Sequence, residues 1–410
     1  MAFIDWALHP TELWAAFWYA MRNAPPDEKT NRLNVSGDMK RCYDFLEMTS
    51  RSFAAVIQEL NPRLRDAVCL FYLILRGLDT IEDDMTIPGA KKRHVLETFH
   101  EVIYQDGWTF KESGPDEKDA LLLVEFDVVI REFLRLAEEF QTVIADITRG
   151  MGAGMAKYTR ARVESLEDYH EYCHYVAGLV GHGLSRLFAV SGLEDKSVGE
   201  RLELANSMGL FLQKTNITRD INEDVLDGRC FWPRAIWGNY AESEEQLIAK
   251  TNREKGVEAL NAMCFNALQH IPDVLEYLSQ IKEPSLFKFC AIPQTMAVAT
   301  IVLCYDNTRV LDSNVKIRKG EALKLISQST SIESVKVVFY RYMEQLERKN
   351  HPSNPMYEPV RKIIDRTKKD IASTLKGGAP VDLTKEYLVL LLFVVTAAAF
   401  FYSYYSERQA

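Results

Sequence analysis

Two acidic motifs with the spacing D-x-x-E-D place the strongest constraint on how this chain folds. The first occupies residues 79–83 and the second residues 220–224, each at the end of an apolar, helix-like segment. Residues i, i+3 and i+4 share one face of a helix, so the carboxylates of each motif project together. Like charges on one face repel, so such helices need a cation or a polar cavity beside them.

Divalent cations are one explanation for both acidic faces. Mg²⁺ prefers oxygen ligands and is often bound by one or two carboxylates together with substrate phosphates. A solvated acidic helix end explains one such motif equally well, but two matched motifs on apolar helices favour a shared Mg²⁺ and diphosphate site. The candidate metal ligands are Asp79, Glu82, Asp83, Asp220, Glu223 and Asp224.

Each motif continues a polar stripe along its helix. Residues 67–75 are apolar on every side, yet Tyr72 and Arg76 fall on the same face as the first motif. Gln213 and Asn216 precede the second motif in the same way. Because unpaired buried charge is strongly unfavourable, we expect both stripes to line a cavity.

Arginines near the motifs are candidates for binding phosphate. Arg76 and Arg219 adjoin the two motifs, and Arg51 lies in the segment Thr-Ser-Arg-Ser-Phe. The planar guanidinium group donates two parallel hydrogen bonds to phosphate. Each arginine alone is better explained by a structural salt bridge, so only their grouping favours phosphate binding.

The segment 169–191 carries glycines within a helical pattern. Gly178, Gly181 and Gly183 each destabilise a helix by about 1 kcal/mol relative to alanine. Their presence predicts close approach by either another helix or a long apolar ligand. Tyr172, in the same segment, is a candidate acid, base or hydrogen-bonding group.

Two later segments have weaker signals. Pro293 interrupts an apolar helical stretch that also holds Phe287 and Phe289, whose rings suit an isoprenoid chain or a carbocation as well as ordinary core packing. Residues 316–320 form a compact basic turn, which on its own is usually a solvated loop. No Rossmann or P-loop motif occurs, so a nicotinamide cofactor, if used, is held in another way.

Composition and periodicity predict an all-α protein with one globular domain and one membrane anchor. Apolar residues recur at helical spacing, the net charge of −9 argues against nucleic acid, and seven scattered cysteines indicate reduced thiols. Residues 387–405 carry no charge and span roughly 28 Å as a helix, which predicts a transmembrane anchor rather than a buried core helix. We predict an all-α catalytic domain at 1–348, a tether at 349–386 and the anchor at 387–405.

The motifs together resemble the squalene/phytoene synthase family over nearly the whole chain. The resemblance rests on SRSF (50–53), YLILRGLDTIEDDM (72–85), YCHYVAGLVG (172–181), NSMGLFLQKTNITRDINED (206–224), FWP (231–233), FCAIPQ (289–294) and VKIRKG (315–320). It implies a single isoprenoid-synthase-type helical domain with a central cavity. In the squalene-forming branch, two farnesyl diphosphates condense head to head to presqualene diphosphate, which NADPH then reduces to squalene.

The resemblance also implies roles for individual residues. Asp79, Asp83, Asp220 and Asp224 are expected to act in catalysis through Mg²⁺, and Tyr172 as acid, base or cation stabiliser. Phosphate groups of substrate or NADPH are expected to contact Arg51, Arg76, Arg219, Lys316 and Arg318. Substrate is expected to contact Ser52, Phe53, Tyr72, Gln213, Asn216, Phe287, Phe289 and Gln294.

The expected setting is a monomer anchored in the endoplasmic reticulum membrane with its body facing the cytosol. Two alternatives stay open at this point. A phytoene or dehydrosqualene synthase lacks the reduction step, and the KIRKG turn and terminal anchor argue against it. A catalytically silent, membrane-tethered scaffold has no use for the intact carboxylates.

Overall fold

The computed structural model describes residue 35 and residues 37–375, and it confirms the all-α prediction, with no strand among these residues. Short 3₁₀ turns and one π-helical turn connect some of the helices. In chain order the α-helices are α1 Gly37–Thr49, α2 Arg51–Ile57, α3 Pro62–Asp83, α4 Gly89–Val102, α5 Ala120–Val124, α6 Phe126–Arg135, α7 Glu138–Tyr158, α8 Leu166–Cys173, α9 Leu179–Val190, α10 Leu202–Arg219, α11 Ile221–Leu226, α12 Arg234–Trp237, α13 Glu244–Ile248, α14 Arg253–Leu268, α15 Ile271–Leu278, α16 Pro284–Cys304, α17 Lys319–Gln328, α18 Ile332–Lys349 and α19 Tyr357–Thr374.

Helix α3 is a central helix that ends in the first acidic motif. It begins with Pro62 at its first position, where the missing N–H is not needed, and the Asn61 side chain accepts a hydrogen bond from the Arg63 amide at 3.2 Å. Its apolar residues are buried on every side of the helix. The carboxylates at its last turn are therefore held by a rigid element of the core.

Helix α10 carries the second polar stripe. The spacing predicts that the second motif continues the same helix, but the structure shows a break there. Helix α10 ends at Arg219, and Asp220 lies at the junction with the short helix α11. The Asp224 amide still donates to the Asp220 carbonyl at 3.0 Å. Asp220 and Asp224 therefore stay one helical turn apart across the junction.

Close helix crossings explain the glycines of the segment 169–191. A Cβ on Gly181 would lie 2.1 Å from the Ala205 carbonyl oxygen, and one on Gly209 would lie 2.1 Å from the carbonyl oxygen of Ala177. The backbones of α9 and α10 thus approach too closely for any side chain. Of the two interpretations that the sequence leaves open, helix packing is confirmed, and Gly181 lines a cavity as well.

Helix α16 is the one helix of the described residues that is long and apolar enough to cross a membrane. Its most apolar window is 78% buried inside the body, and Pro293 lies within it. It is therefore a core helix. The predicted anchor at 387–405 lies outside the described residues.

The first compact unit ends at Thr367, beyond the boundary at residue 348 that the sequence predicts. Within the predicted tether, α19 buries Val360 and Ile364 almost completely. The early part of this segment is thus structured as a helix because its apolar residues are buried. The second unit, Lys368–Ala410, is described only through residue 375.

Candidate active site

A cavity of about 300 Å³ runs between α3, α9, α10 and α16. One end is polar, with Arg76, Asp79, Gln213 and Asn216, and the rest is mainly apolar. Six of the predicted substrate-contacting residues line it: Phe53, Tyr72, Gln213, Asn216, Phe289 and Gln294. Phe287 is buried in α16 but is not part of this lining.

Asp79 presents its carboxylate to the cavity. About a third of its side-chain surface (34%) is open, and Asp79 is part of the cavity lining. Burial raises the pKa of Asp79 to about 7, against the opposing effect of Arg76, whose Nη1 lies 3.8 Å from Oδ2. The site therefore favours a proton or cation at this carboxylate.

Glu82 is a second member of the first motif whose pKa is raised. Burial raises its pKa to about 8, and the negative charges of Asp79 and Asp83 raise it further in the same direction. The Lys92 ammonium donates to the Glu82 carbonyl oxygen at 2.6 Å rather than to its carboxylate. The first motif is thus a set of carboxylates that repel one another.

Asp119 is a site residue that the sequence does not reveal. It binds Arg76 through Nε at 2.8 Å and Nη2 at 2.5 Å, both to its Oδ2 atom. Asp119 lies in the loop before α5, 43 residues further along the chain than its partner. No local pattern connects two residues so far apart, so only the tertiary structure identifies the pair.

The second motif is held by a network of nitrogen donors. Arg219 donates to both carboxylate oxygens of Asp220, at 2.7 and 2.6 Å. The Asn314 amide nitrogen donates to Asp220 at 2.5 Å and to Glu223 at 3.3 Å. Burial raises the pKa of Asp224 to about 7, with Arg229 acting in the opposite direction. Arg219 is therefore engaged with its neighbour, and Asn314 is a second residue that the sequence does not reveal.

Arg229 connects the two acidic motifs. Its Nη1 lies 2.7 Å from Asp83 Oδ1, and its Nη2 lies 3.9 Å from Asp224 Oδ1 and 3.7 Å from Asp227 Oδ2. Motifs that are far apart in the chain therefore meet at one guanidinium group. A Mg²⁺ and diphosphate site shared by the two motifs stays a prediction.

Tyr172 lies beside the first motif, buried to 5% exposure. Its ring stacks on Phe231 with centroids 4.9 Å apart and planes at 8°, and it meets the Tyr158 ring edge to face at 5.1 Å. Burial raises the pKa of Tyr172 well above its usual value, and the charges of Glu82 and Asp83 add to this effect. The phenol therefore keeps its proton at neutral pH.

Lys316 and Arg318 are not part of the cavity lining. Lys316 and Arg318 are exposed in the segment that follows Asn314. The side chains of Arg51 and Ser52 lie outside the described part of the structure.

Comparison with known proteins identifies the family. The family model described as squalene/phytoene synthase matches residues 46–321. The chain belongs to the squalene/phytoene synthase family. Within this family it is 45% identical to the squalene synthase of Rattus norvegicus over 409 residues, covering 99% of this chain and 97% of that protein. It is 52% identical to the squalene synthase of Schizosaccharomyces pombe over 331 residues, covering 79% and 72% of the two chains.

Solved structures agree with this family assignment. A TcSQS–ligand complex superposes with a TM-score of 0.81 at 41% identity, covering 83% of this chain and all (100%) of that one. A dehydrosqualene synthase in complex with a ligand has a TM-score of 0.53 at 18% identity, covering 74% and 98% of the two chains. The comparison with the dehydrosqualene synthase shows that this chain and that protein share a fold.

The residues of this family member fit Mg²⁺ by donor chemistry. Both motifs offer carboxylate oxygens, the ligands that hard cations prefer, and the pKa values of Asp79, Glu82 and Asp224 are raised in the absence of a cation. In the described part of the chain, no three His, Cys, Asp or Glu residues already converge on one metal position. Instead, a guanidinium group lies between the two motifs.

Proposed function

We propose that this chain converts two molecules of farnesyl diphosphate into squalene through presqualene diphosphate. It is an enzyme of the squalene synthase type, a prenyltransferase, as 45–52% identity to several squalene synthases over most of the chain shows. The observation that carries the proposal is the cavity, whose polar end holds Asp79 and whose long remainder is apolar. An allylic diphosphate has the same division between an anionic head and an apolar chain.

Mg²⁺ is proposed to bind at Asp79, Glu82, Asp83, Asp220, Glu223 and Asp224, where it would neutralise charge that develops on the departing diphosphate. Burial raises the pKa values of Asp79, Glu82 and Asp224 and so disfavours their ionised forms without a nearby cation, which supports the assignment. Arg76 and Arg219 are already paired with carboxylates, so they contribute positive charge close to the motifs. Tyr172 carries its proton and presents an aromatic face, which suits it to stabilise an allylic cation or to donate a hydrogen bond.

NADPH is proposed as the reductant of the second half-reaction. Lys316 and Arg318 are exposed cations on the segment that follows Asn314, which contacts the second motif. Anionic phosphates of the dinucleotide would be attracted to this segment. Arg51, at the first residue of α2, is proposed to contribute to the same phosphate binding.

Membrane attachment through residues 387–405 is proposed from their uncharged length, with the catalytic body, as a monomer, in the cytosol and the anchor in the endoplasmic reticulum. Fractionation of cells that express the full chain or a chain truncated at residue 375 tests this proposal. The full chain should sediment with membranes of the endoplasmic reticulum, and the truncated chain should not. Sedimentation of both forms, or of neither, would contradict the anchor.

Product analysis tests the proposed activity. Detergent-solubilised protein is incubated with farnesyl diphosphate and Mg²⁺, with and without NADPH, and the lipids are identified by mass spectrometry. Squalene should form only with both additions, and presqualene diphosphate should accumulate when NADPH is omitted. Dehydrosqualene in the presence of NADPH would indicate the non-reducing activity, and no turnover would favour a silent scaffold.

A further inference from the structure

We propose that Tyr277, held by Ser185 at the closed end of the cavity, limits the isoprenoid chain that the cavity accepts to fifteen carbons. This inference rests on the proposed function, because it assumes that an isoprenoid diphosphate enters the cavity. It assigns a selectivity role to a buried pair of hydroxyl groups that the chemistry at the acidic motifs does not use.

The direction of the cavity follows from the two central helices. On α3, the lining residues run from Asp79 back to Val68, a stretch of roughly 16 Å at 1.5 Å per residue. On α10 they run from Asn216 back to Ala205, which spans the same length. Both helices carry their acidic motifs at their carboxyl-terminal ends, so the amino-terminal end of each lining stretch marks the far end of the cavity.

Ser185 is located at this far end by the crossing of α9 and α10. Gly209 faces Ala177, and Gly181 faces Ala205, so later residues of α9 lie beside earlier residues of α10. Ser185 is one helical turn beyond Gly181 in the same direction. It therefore lies beyond the amino-terminal end of the α10 lining.

The partner contacts of α15 place Tyr277 at the same end. His270 lies 2.9 Å from the Lys214 ammonium, and Asp273 accepts a hydrogen bond from Ser207 at 2.7 Å. His270 directly precedes α15 and also lies 3.3 Å from Ser207 Oγ, so the first turn of α15 lies against this stretch of α10. Tyr277 follows Asp273 by one turn, so it extends past Ser207 towards the far end.

The Tyr277 side chain is fixed where it closes the cavity. Its hydroxyl group forms a 2.6 Å hydrogen bond with Ser185 Oγ, Tyr277 is 3% exposed, and Ser185 is fully buried. A buried hydroxyl group requires a partner, so this bond disfavours rotation of the ring out of its position. Leu184 and Cys290 also line the cavity.

A chain that is one isoprene unit longer would have to displace this ring. Shortening the side chain should therefore admit geranylgeranyl diphosphate, which has twenty carbons. We compare Tyr277→Ala with the matched variant Tyr277→Phe, which keeps the ring and loses only the hydroxyl group. Ser185→Ala removes the partner of the hydrogen bond and leaves the ring in place.

The measured quantity is the ratio of kcat/KM for the twenty-carbon and fifteen-carbon diphosphates, with product lengths assigned by mass spectrometry. Tyr277→Ala should raise this ratio at least tenfold, and Tyr277→Phe should change it less than threefold. Ser185→Ala should lie between them, because it leaves the buried Tyr277 hydroxyl group without this partner and so favours rotation of the ring, whereas the phenylalanine ring of Tyr277→Phe has no such group. A folded Tyr277→Ala protein with the wild-type ratio would overturn the inference.

Binding without turnover keeps the test decisive if Tyr277→Ala is inactive on both substrates. The non-hydrolysable thiodiphosphates of both chain lengths are titrated calorimetrically, with thermal melting as the control for folding. A rise of at least tenfold in relative affinity for the longer analogue supports the inference, and an unchanged ratio overturns it. If Tyr277→Ala does not fold, Tyr277→Leu is measured in its place under the same criterion. Failure of the wild-type protein to make squalene would contradict the proposed function alone, since relative affinities still report the length of the cavity.

Discussion

Asp79 places a carboxylate at the polar end of the cavity, and its replacement by asparagine keeps the shape while removing the charge. We expect Asp79→Asn to lower kcat by roughly 10²–10³-fold or more, as for loss of one charge-stabilising group at a reacting centre. The measurement is turnover of farnesyl diphosphate with Mg²⁺ and NADPH. Near-normal turnover would contradict the proposed metal role of this carboxylate.

The same variant has a defined effect on stability. The pKa of Asp79 is raised to about 7 in the folded chain, above its unfolded value of roughly 3.9. The native state therefore binds more protons than the unfolded state between these values, and the ionised carboxylate destabilises the fold at pH 8. Asp79→Asn should melt at the wild-type temperature or higher at pH 8. A lower melting temperature would attribute the loss of activity to misfolding.

Arg229 supports a second prediction at the residue scale, because its guanidinium group joins Asp83 and Asp224. With a chelator present to remove Mg²⁺, Arg229→Gln should reduce the free energy of unfolding by about 1 kcal/mol, the upper value for partly exposed ion pairs. Saturating Mg²⁺ should reduce this difference, because the cation then screens the same carboxylates. Urea denaturation with and without Mg²⁺ measures both values.

Arg234→Gln is the matched control for Arg229→Gln. Arg234 is more exposed, and within the described part of the chain its ion-pair partner is Glu164 at 3.9 Å. The control should change the free energy of unfolding by less than about 0.5 kcal/mol, as surface substitutions usually do. Equal effects of the two variants would show that the connection between the motifs is energetically unimportant.

At the scale of helices, the crossing of α9 and α10 determines the width of the cavity. The added Cβ of Gly181→Ala would lie 2.1 Å from the Ala205 carbonyl oxygen, so the two backbones would have to separate. Overpacking of this kind destabilises a protein by about 1–3 kcal/mol. Replacing glycine by alanine in a helix stabilises it by only about 1 kcal/mol through helix propensity. Urea denaturation of Gly181→Ala should therefore give a lower free energy of unfolding than that of the wild-type chain.

Gly37→Ala is the control for this crossing, because no atom lies within 4 Å of the added Cβ at the start of α1. Its stability should equal that of the wild-type chain or exceed it slightly. Activity separates the variants further, since Gly181 also lines the cavity. A fully stable and active Gly181→Ala protein would contradict the close crossing.

For the whole molecule, a buried contact between Lys214 and His270 predicts sensitivity to acid. Burial and the nearby ammonium group lower the pKa of His270 to about 3, from an unfolded value of roughly 6.5. Between these values the unfolded chain binds the proton and the native chain does not, so stability falls as the pH falls from about 6.5 towards 3. His270→Gln should weaken this dependence, measured as urea midpoints between pH 7.5 and pH 4.5.

The exposed residue His351 provides the control for the acid prediction. His351→Gln should keep the wild-type dependence of the urea midpoint on pH. If His270→Gln also keeps it, the acid sensitivity does not arise from the buried contact with Lys214.

The sequence predicts the class of fold and the chemistry of the polar end. Helical periodicity carries the all-α prediction, which the structure confirms. The spacing of the acidic motifs carries the prediction of one shared site, and the two motifs lie on either side of Arg229. Local spacing suffices for these features because the positions of side chains on a helix repeat regularly. The resemblance to the squalene/phytoene synthase family adds the activity.

Only the tertiary structure identifies the partners and the limits of the site. Asp119 and Asn314 contact the predicted residues from distant parts of the chain, where no local pattern marks them. Arg229 follows the second motif closely but contacts Asp83, which is 146 positions earlier in the chain. The break at Asp220 and the closed end of the cavity at Tyr277 likewise depend on neighbouring helices. The sequence by itself determined which side chains share a helix face, because that depends on local backbone geometry, and the packing of the helices decided which of those faces meet.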